Sequence, residues 1–219
     1  MTFTSRRQFL AATGASAVAA SAGCLGLSDD VLSSSAATVS PDALATTGYA
    51  ERTVEELIIQ ETVGRFGLER TIDARNWYAE YDRAVALDDL GLTRAQAAVV
   101  VVLTTPQVSL LGRTFNPVGE YDTDDLVELI QDHYGDVRDV SRVDETTVTV
   151  LGSSTPLVRY HARATFLEQG LSMPVTLQLT EPVAHGDDFV IGVAVYPRPL
   201  GVETESETVR RLLEGVEHG

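Results

Sequence analysis

The sequence predicts an α+β domain: a mainly antiparallel sheet of about six or seven strands with two amphipathic helices packed on it. Three observations lead there. Four stretches between Val140 and Pro197 alternate apolar and polar residues and are joined by short Gly-bearing turns, the pattern of antiparallel strands. Two other stretches, after Asp122 and after Thr204, carry apolar residues at helical spacing. The run Ala97–Leu103 is β-branched and about ten residues long with its flanks, which suits a central strand covered on both faces and is far short of a membrane span.

In chain order, Ser40-Pro41-Asp42 reads as a helix start, with Ser40 as cap and Pro41 in the first turn, and Gly48 ends that short helix. Glu51 to Val63 and Leu68 to Val85 form a hairpin about Gly64-Arg65-Phe66-Gly67. Leu57, Ile59 and Val63 share one parity on its first strand, and Trp77, Tyr81 and Val85 share one on its second. Gln96 to Thr105 is the central strand, closed by Pro106. Asp122 caps a helix whose apolar face is Leu126, Leu129, Ile130 and Tyr134, ending at Gly135.

Four strands follow: Val140 to Leu151, Leu157 to Glu168, Leu171 to Glu181 and Phe189 to Pro197. Gly152, Gly170 and Gly186-Asp187-Asp188 turn the chain between them. Thr204-Glu205-Ser206-Glu207 is a capping box, and Val209, Leu212, Leu213 and Val216 are the stripe of the last helix. This element order is similar to that of PsbP/Mog1-like domains, a likeness of topology that implies no activity.

Ahead of the domain stands a leader. Arg6 and Arg7 are the only charges before Asp29, and the weakly apolar run Phe9–Gly23 is too short and too poor in large residues to span a bilayer. Ser5-Arg6-Arg7-Gln8-Phe9-Leu10 resembles a twin-arginine signal, which exports folded proteins. Ser21-Ala22-Gly23-Cys24 resembles a lipobox, with Ser21 where a large aliphatic residue commonly stands. That likeness implies that Cys24 is lipidated and holds the chain to membrane lipid. The expected organisation is a signal over 1–23, the lipidated cysteine and a flexible tether over 24–38, and one domain over 39–219. With Cys24 alone, no intramolecular disulfide is available.

Charge narrows the setting. The formal net charge is −16, and the chain contains no lysine. Such a surface repels itself in dilute salt. At about 1 M salt the screening length falls to about 3 Å, so the composition fits a saline environment. It argues against nucleic acid as a partner, which requires a basic footprint.

No nucleophile elbow, Cys pair, Gly-rich phosphate loop or close-spaced His metal motif occurs, so the residues indicate no catalytic group, no cofactor and no metal. His133 borders a helix core face, His185 sits in a turn and His218 in the tail. Arg159, His161 and Arg163 alternate on one strand face, which makes them a candidate anion or ligand site, since Arg pairs carboxylates and phosphates bidentately. The same pattern also fits cross-strand pairing with surface acids. Glu80 and Asp82 beside Trp77 suggest an acid/base pair of a carboxylate hydrolase, or simply a solvated strand face. Asp187-Asp188 and Asp122–Asp125 offer oxygen ligands for a hard cation but suit turn and cap roles.

The whole chain resembles a group of secreted haloarchaeal lipoproteins of unassigned function. The likeness rests on the two export motifs, on Asn76-Trp77-Tyr78-Ala79-Glu80-Tyr81-Asp82, on Leu103-Thr104-Thr105-Pro106-Gln107-Val108 and on Gly112-Arg113-Thr114-Phe115-Asn116-Pro117. It implies a lipid-anchored domain on the extracytoplasmic face of the cell membrane, without catalysis, binding a protein or small-molecule partner. An extracytoplasmic hydrolase and a structural component of the envelope are the alternatives.

Overall fold

The computed structural model describes residues 31–219, apart from 66–67, 88–91, 108, 111–112, 115–116, 134–136 and 167–170. The leader, Cys24, Phe166–Leu171 side chains, His133's ring and Tyr134 lie outside what is described.

The fold is dominated by its sheet, which corrects the expected class. Instead of six or seven mainly antiparallel strands with two helices, one mixed sheet of nine strands carries three helices among the described residues. In chain order the elements are β1 (Val31–Ser33), β2 (Ala37–Val39), α1 (Pro41–Thr47), β3 (Ala50–Arg65), β4 (Leu68–Leu87), β5 (Leu92–Pro106), the small pair β6 (Ser109–Leu110) and β7 (Arg113–Thr114), α2 (Thr123–His133), β8 (Val137–Val150), β9 (Ser153–Phe166), β10 (Leu171–Thr180), β11 (Val183–His185), β12 (Asp188–Pro197), α3 (Val202–Glu214) and β13 (Val216–His218). The sheet runs β3-β4-β5-β12-β10-β9-β8, with β11 beside β12. The strand that makes it mixed is β1, which pairs parallel with β4 at Asp73–Arg75.

Two strands make up the difference, β11 beside β12 and β1 in the expected tether. The stretch expected to be tether up to residue 38 contains β1 and β2, and Ala37 is fully buried. Residues 35–39 lie across the sheet face, beyond the last ladder bond, which Ser34 N gives to the Arg75 carbonyl (3.0 Å). Side chains satisfy their N–H groups instead, as buried donors require. Asp188 Oδ2 accepts from Ser35 N (2.9 Å), Thr104 Oγ1 from Ala37 N (3.1 Å) and the Tyr81 hydroxyl from Val39 N (2.8 Å). Trp77 Nε1 donates to the Ser34 carbonyl (3.0 Å). β2 then pairs with β13, joining the two ends of the domain.

Helices cover both sheet faces. On one, α3 sets Val209, Leu212 and Leu213 against Val148, Val150, Leu157, Val100 and Ala194. On the other, α2 sets Leu126 and Val127 against Val158, Tyr160, Leu177, Leu179 and Ile191. Leu129, expected in the α2 stripe, is exposed, and Val127 takes its place. Asp122 Oδ1 caps α2 by accepting from Asp124 N and Asp125 N. Ser40 Oγ accepts from Ala43 N, and Gly48 ends α1 at φ 73°, as the sequence indicates. The capping box at Thr204 does not form: α3 starts at Val202 behind Gly201, and Glu205 turns inward. Val216 is buried but belongs to β13, past the helix end.

A buried ion pair fixes α3 to the sheet. Arg83 Nη2 on β4 donates to Glu205 Oε1, with the Glu205 side chain 3% exposed and that of Arg83 27%. The Tyr49 ring lies 5.4 Å under the same guanidinium. Burial, and then the Glu205 carboxylate, push the Tyr49 phenol pKa well up.

Candidate functional site

Alternation along β9 places Arg159, His161 and Arg163 on the α3 side of the sheet, as the sequence indicates, but they do not act alike. Arg159 is consumed. It donates from Nε to Asp144 Oδ1 (2.9 Å), from Nη2 to Asp144 Oδ2 and from Nη1 to Glu203 Oε1 (2.9 Å). Asp144 stands directly opposite it on β8, so this is the cross-strand pairing that the sequence also allowed. Hydrogen bonds to Asp144 are the main cause that raises the Arg159 pKa.

The other two residues belong to a different group. Arg163 stands directly opposite Arg138 on β8. Side chains at such positions lie about 5 Å apart at Cβ, and like charges there are destabilising. Next along the strand, His161 lies between Ser141 on β8 and Thr176 on β10. Burial, then Arg198, then Arg159 lower the His161 pKa, which leaves the ring neutral at pH 7. Arg198 follows the end of β12, immediately before α3. Arg138, Arg163 and Arg198 are all exposed.

The backbone builds this cluster. Pairing between β8 and β9 slips twice, between Arg142 and Asp144 and between Arg138 and Ser141, and Asp139 takes φ 55° at the second slip. A non-glycine residue in that region is strained, and a bulge re-aims the side chains beside it. Here it brings Arg138 level with Arg163. The floor is polar. Gln178 Nε2 donates to Ser206 Oγ (2.8 Å), and the Tyr196 hydroxyl donates to Gln178 Oε1 (3.2 Å). Thr176 is buried between His161 and Tyr196, and its hydroxyl makes no hydrogen bond of normal geometry. Arginines above a neutral imidazole suit a carboxylate or phosphate: the guanidinium forks bind its oxygens, and its charge favours protonation of the ring.

Other candidates separate. Trp77 faces α3 with Ala79 and Tyr81, while Glu80 and Asp82 point to the opposite side of β4. Glu80 accepts from the Tyr78 hydroxyl (2.5 Å), and Asp82 Oδ2 lies 4.0 Å from Arg52 Nε. The carboxylates and the indole therefore do not converge. His218 is not in a loose tail and His185 is not merely solvated. His218 Nε2 contacts Asp188 Oδ2 at 2.9 Å, and the two imidazole rings meet edge to face at 5.3 Å. The Asp188 carboxylate also takes Ser35 N, so it clasps two distant parts of the chain to β12. Among the described residues no group of three or more His, Cys, Asp or Glu is placed to hold a metal ion.

A family model described as a domain of unknown function, DUF6517, matches residues 36–217. The chain belongs to the DUF6517 family. No curated protein matches it. The DUF6517 match begins at Ala36, inside the segment that crosses the sheet, and ends at Glu217 in β13. It therefore takes in the bulge and the arginine cluster, and Asp188 but neither of its clasp partners Ser35 and His218.

Proposed function

We propose that this DUF6517 protein is an exported, lipid-anchored binding protein of a saline environment, which holds an anionic ligand at Arg163, Arg198 and His161 without transforming it. The observation that carries the ligand reading is the placement of Arg163 and Arg198 beside His161, in a chain of net charge −16. A surface so acidic has carboxylates at hand for neutralising cations, as Asp144 and Glu203 do for Arg159. Arg163 and Arg198 have no carboxylate partner among the described residues, which favours an anion arriving from outside. The twin arginines Arg6 and Arg7 and the Cys24 motif support export and attachment to lipid on the outer membrane face.

The ligand reading is tested on the full chain with inorganic phosphate as probe, following the His161 ring resonances by NMR. Phosphate is expected to shift them saturably and to raise the His161 pKa toward its ordinary value of 6.5. Arg163→Ala and Arg198→Ala are each expected to weaken that response about ten- to hundredfold, the loss of one charge-assisted contact of about 1.5–3 kcal/mol. A ring that does not respond to phosphate in the wild-type chain refutes the reading. The anchor reading is tested separately: Cys24→Ser should move the protein from the membrane fraction to the medium, and unchanged fractionation refutes it.

A further inference from the structure

Beyond the anion site, the β3–β4 ribbon stands out. β5 accompanies β4 only from Trp77 onward, where Trp77 pairs with Thr104. Before that point β3 and β4 form a two-stranded arm from Leu57–Asn76 to Arg65–Leu68, flanked by β1 at Asp73–Arg75 alone. Five large hydrophobic side chains are exposed among the described residues, and three are consecutive on this arm: Leu57 (38%), Ile58 (54%) and Ile59 (50%). The other two, Leu129 on α2 and Val143 on β8, lie elsewhere, Val143 on the strand at the far side of the sheet.

The apolar triplet sits where the chain enters the domain. Ile58, Arg75 and Ser33 are in register, and so are Ile59, Ala74 and Leu32. β3 and β1 both pair with this part of β4, so they flank it, and two ladder spacings of about 5 Å separate them. Cys24 precedes Val31 by seven residues, not the fifteen of the expected tether to residue 38. Seven residues span at most about 25 Å, whatever their conformation. A lipid on Cys24 therefore keeps this end of the sheet close to the bilayer.

We propose that the arm is a membrane-contact element, with Leu57, Ile58 and Ile59 resting in the interfacial layer beside the lipid on Cys24. The inference depends on the lipid-anchor reading above. Consecutive strand residues point to opposite faces, so the triplet is apolar on both sides of the ribbon. One packed protein surface covers one side, whereas a fluid interface surrounds both. The acidic surface is no obstacle in brine, where repulsion from anionic headgroups is screened within a few ångströms, about 3 Å at 1 M.

The test uses the full lipidated chain in phosphatidylglycerol vesicles whose acyl chains carry nitroxide quenchers, in high salt. Lipidation blocks the native thiol, so Ile59→Cys and, as control, Val143→Cys each offer a single site for a fluorophore. Both positions are exposed, and substitution there leaves stability nearly unchanged. Quenching at position 59 is expected to exceed that at 143 several-fold. Equal quenching in protein that floats with the vesicles overturns the membrane-contact proposal and leaves the anchor reading intact. Failure to float overturns both. Shielding of the label at 59 that grows with protein concentration in the absence of vesicles assigns the β3 edge to a second copy and also overturns the proposal.

Discussion

Removing either member of the Arg83–Glu205 pair should destabilise the domain unequally, and the structure fixes which loss is worse. Arg83→Ala leaves the Glu205 carboxylate on α3 at 3% exposure with no ion-pair partner, near the Tyr49 and Tyr196 phenols. Breaking a buried pair so that a charge remains inside costs about 3–5 kcal/mol. Glu205→Ala leaves a guanidinium that is already 27% exposed and stays over the Tyr49 ring at 5.4 Å. It can turn toward water and keep a cation–π contact of about 0.5–1 kcal/mol. Its loss should be about 1–2 kcal/mol, near that of a single hydrogen bond. The apolar double variant Arg83→Met with Glu205→Leu should fall between wild type and Arg83→Ala, because it strands no charge. Urea unfolding at constant molar salt measures all four proteins, with Trp77, the sole tryptophan, as fluorescent probe. With a slope of about 1–3 kcal/mol per molar urea, a difference of about 2 kcal/mol moves the midpoint by about 1 M. If Glu205→Ala proves as damaging as Arg83→Ala, or the double variant proves the weakest, the assignment of the cost to a stranded carboxylate is wrong.

Two further outcomes follow from packing and titration. A Cβ at Gly192 would lie 2.4 Å from Leu213 Cδ2, so Gly192→Ala should cost about 1–3 kcal/mol by overpacking β12 against α3; in a Leu213→Ala background the added cost should vanish, which urea midpoints for the cycle would show. Burial, and then the hydrogen bond to Asp124, push the Tyr160 phenol up to about 12, so above about pH 10 the unfolded chain loses a proton that the fold retains, and stability should decline as pH rises from about 10 to about 12. In Tyr160→Phe that decline should be shallower, and an unchanged pH profile would count against the buried phenol as its source.

Much of this architecture is legible in the sequence, and the rest is not for identifiable reasons. The β3–β4 hairpin shows itself through the glycines at its turn, and β9 through alternation, because Val158, Tyr160, Ala162 and Ala164 are buried while Arg159, His161 and Arg163 are not. Asp122 and Ser40 announce helix starts because a cap is a local interaction between residues three apart or fewer. Val31–Val39 is opaque because its Ser- and Ala-rich composition has no strand preference of its own. Asp188, Thr104 and Tyr81, all distant in the chain, impose its conformation.

Registry explains why the site was only half visible. Counting back from the Leu151–Gly152 turn without interruption sets Arg138 opposite Thr165, whereas two bulges carry it to Arg163. No local residue pattern marks those slips. Arg198 escaped notice because it lies outside the strand and reaches His161 only through the fold. His218 reads as tail because a three-residue strand is too short to show a pattern in sequence.

The pairing of Ala37–Val39 with Val216–His218 makes the order of synthesis matter. Ala37–Val39 can meet Tyr81 and Thr104 once β4 and β5 exist, but its ladder partner Val216–His218 is made after every other strand of the domain. A chain stopped one strand early, before Val216, keeps every other strand yet leaves Ala37–Val39 without its ladder partner. A C-terminal fusion that crowds His218 should have the same effect as such a truncation.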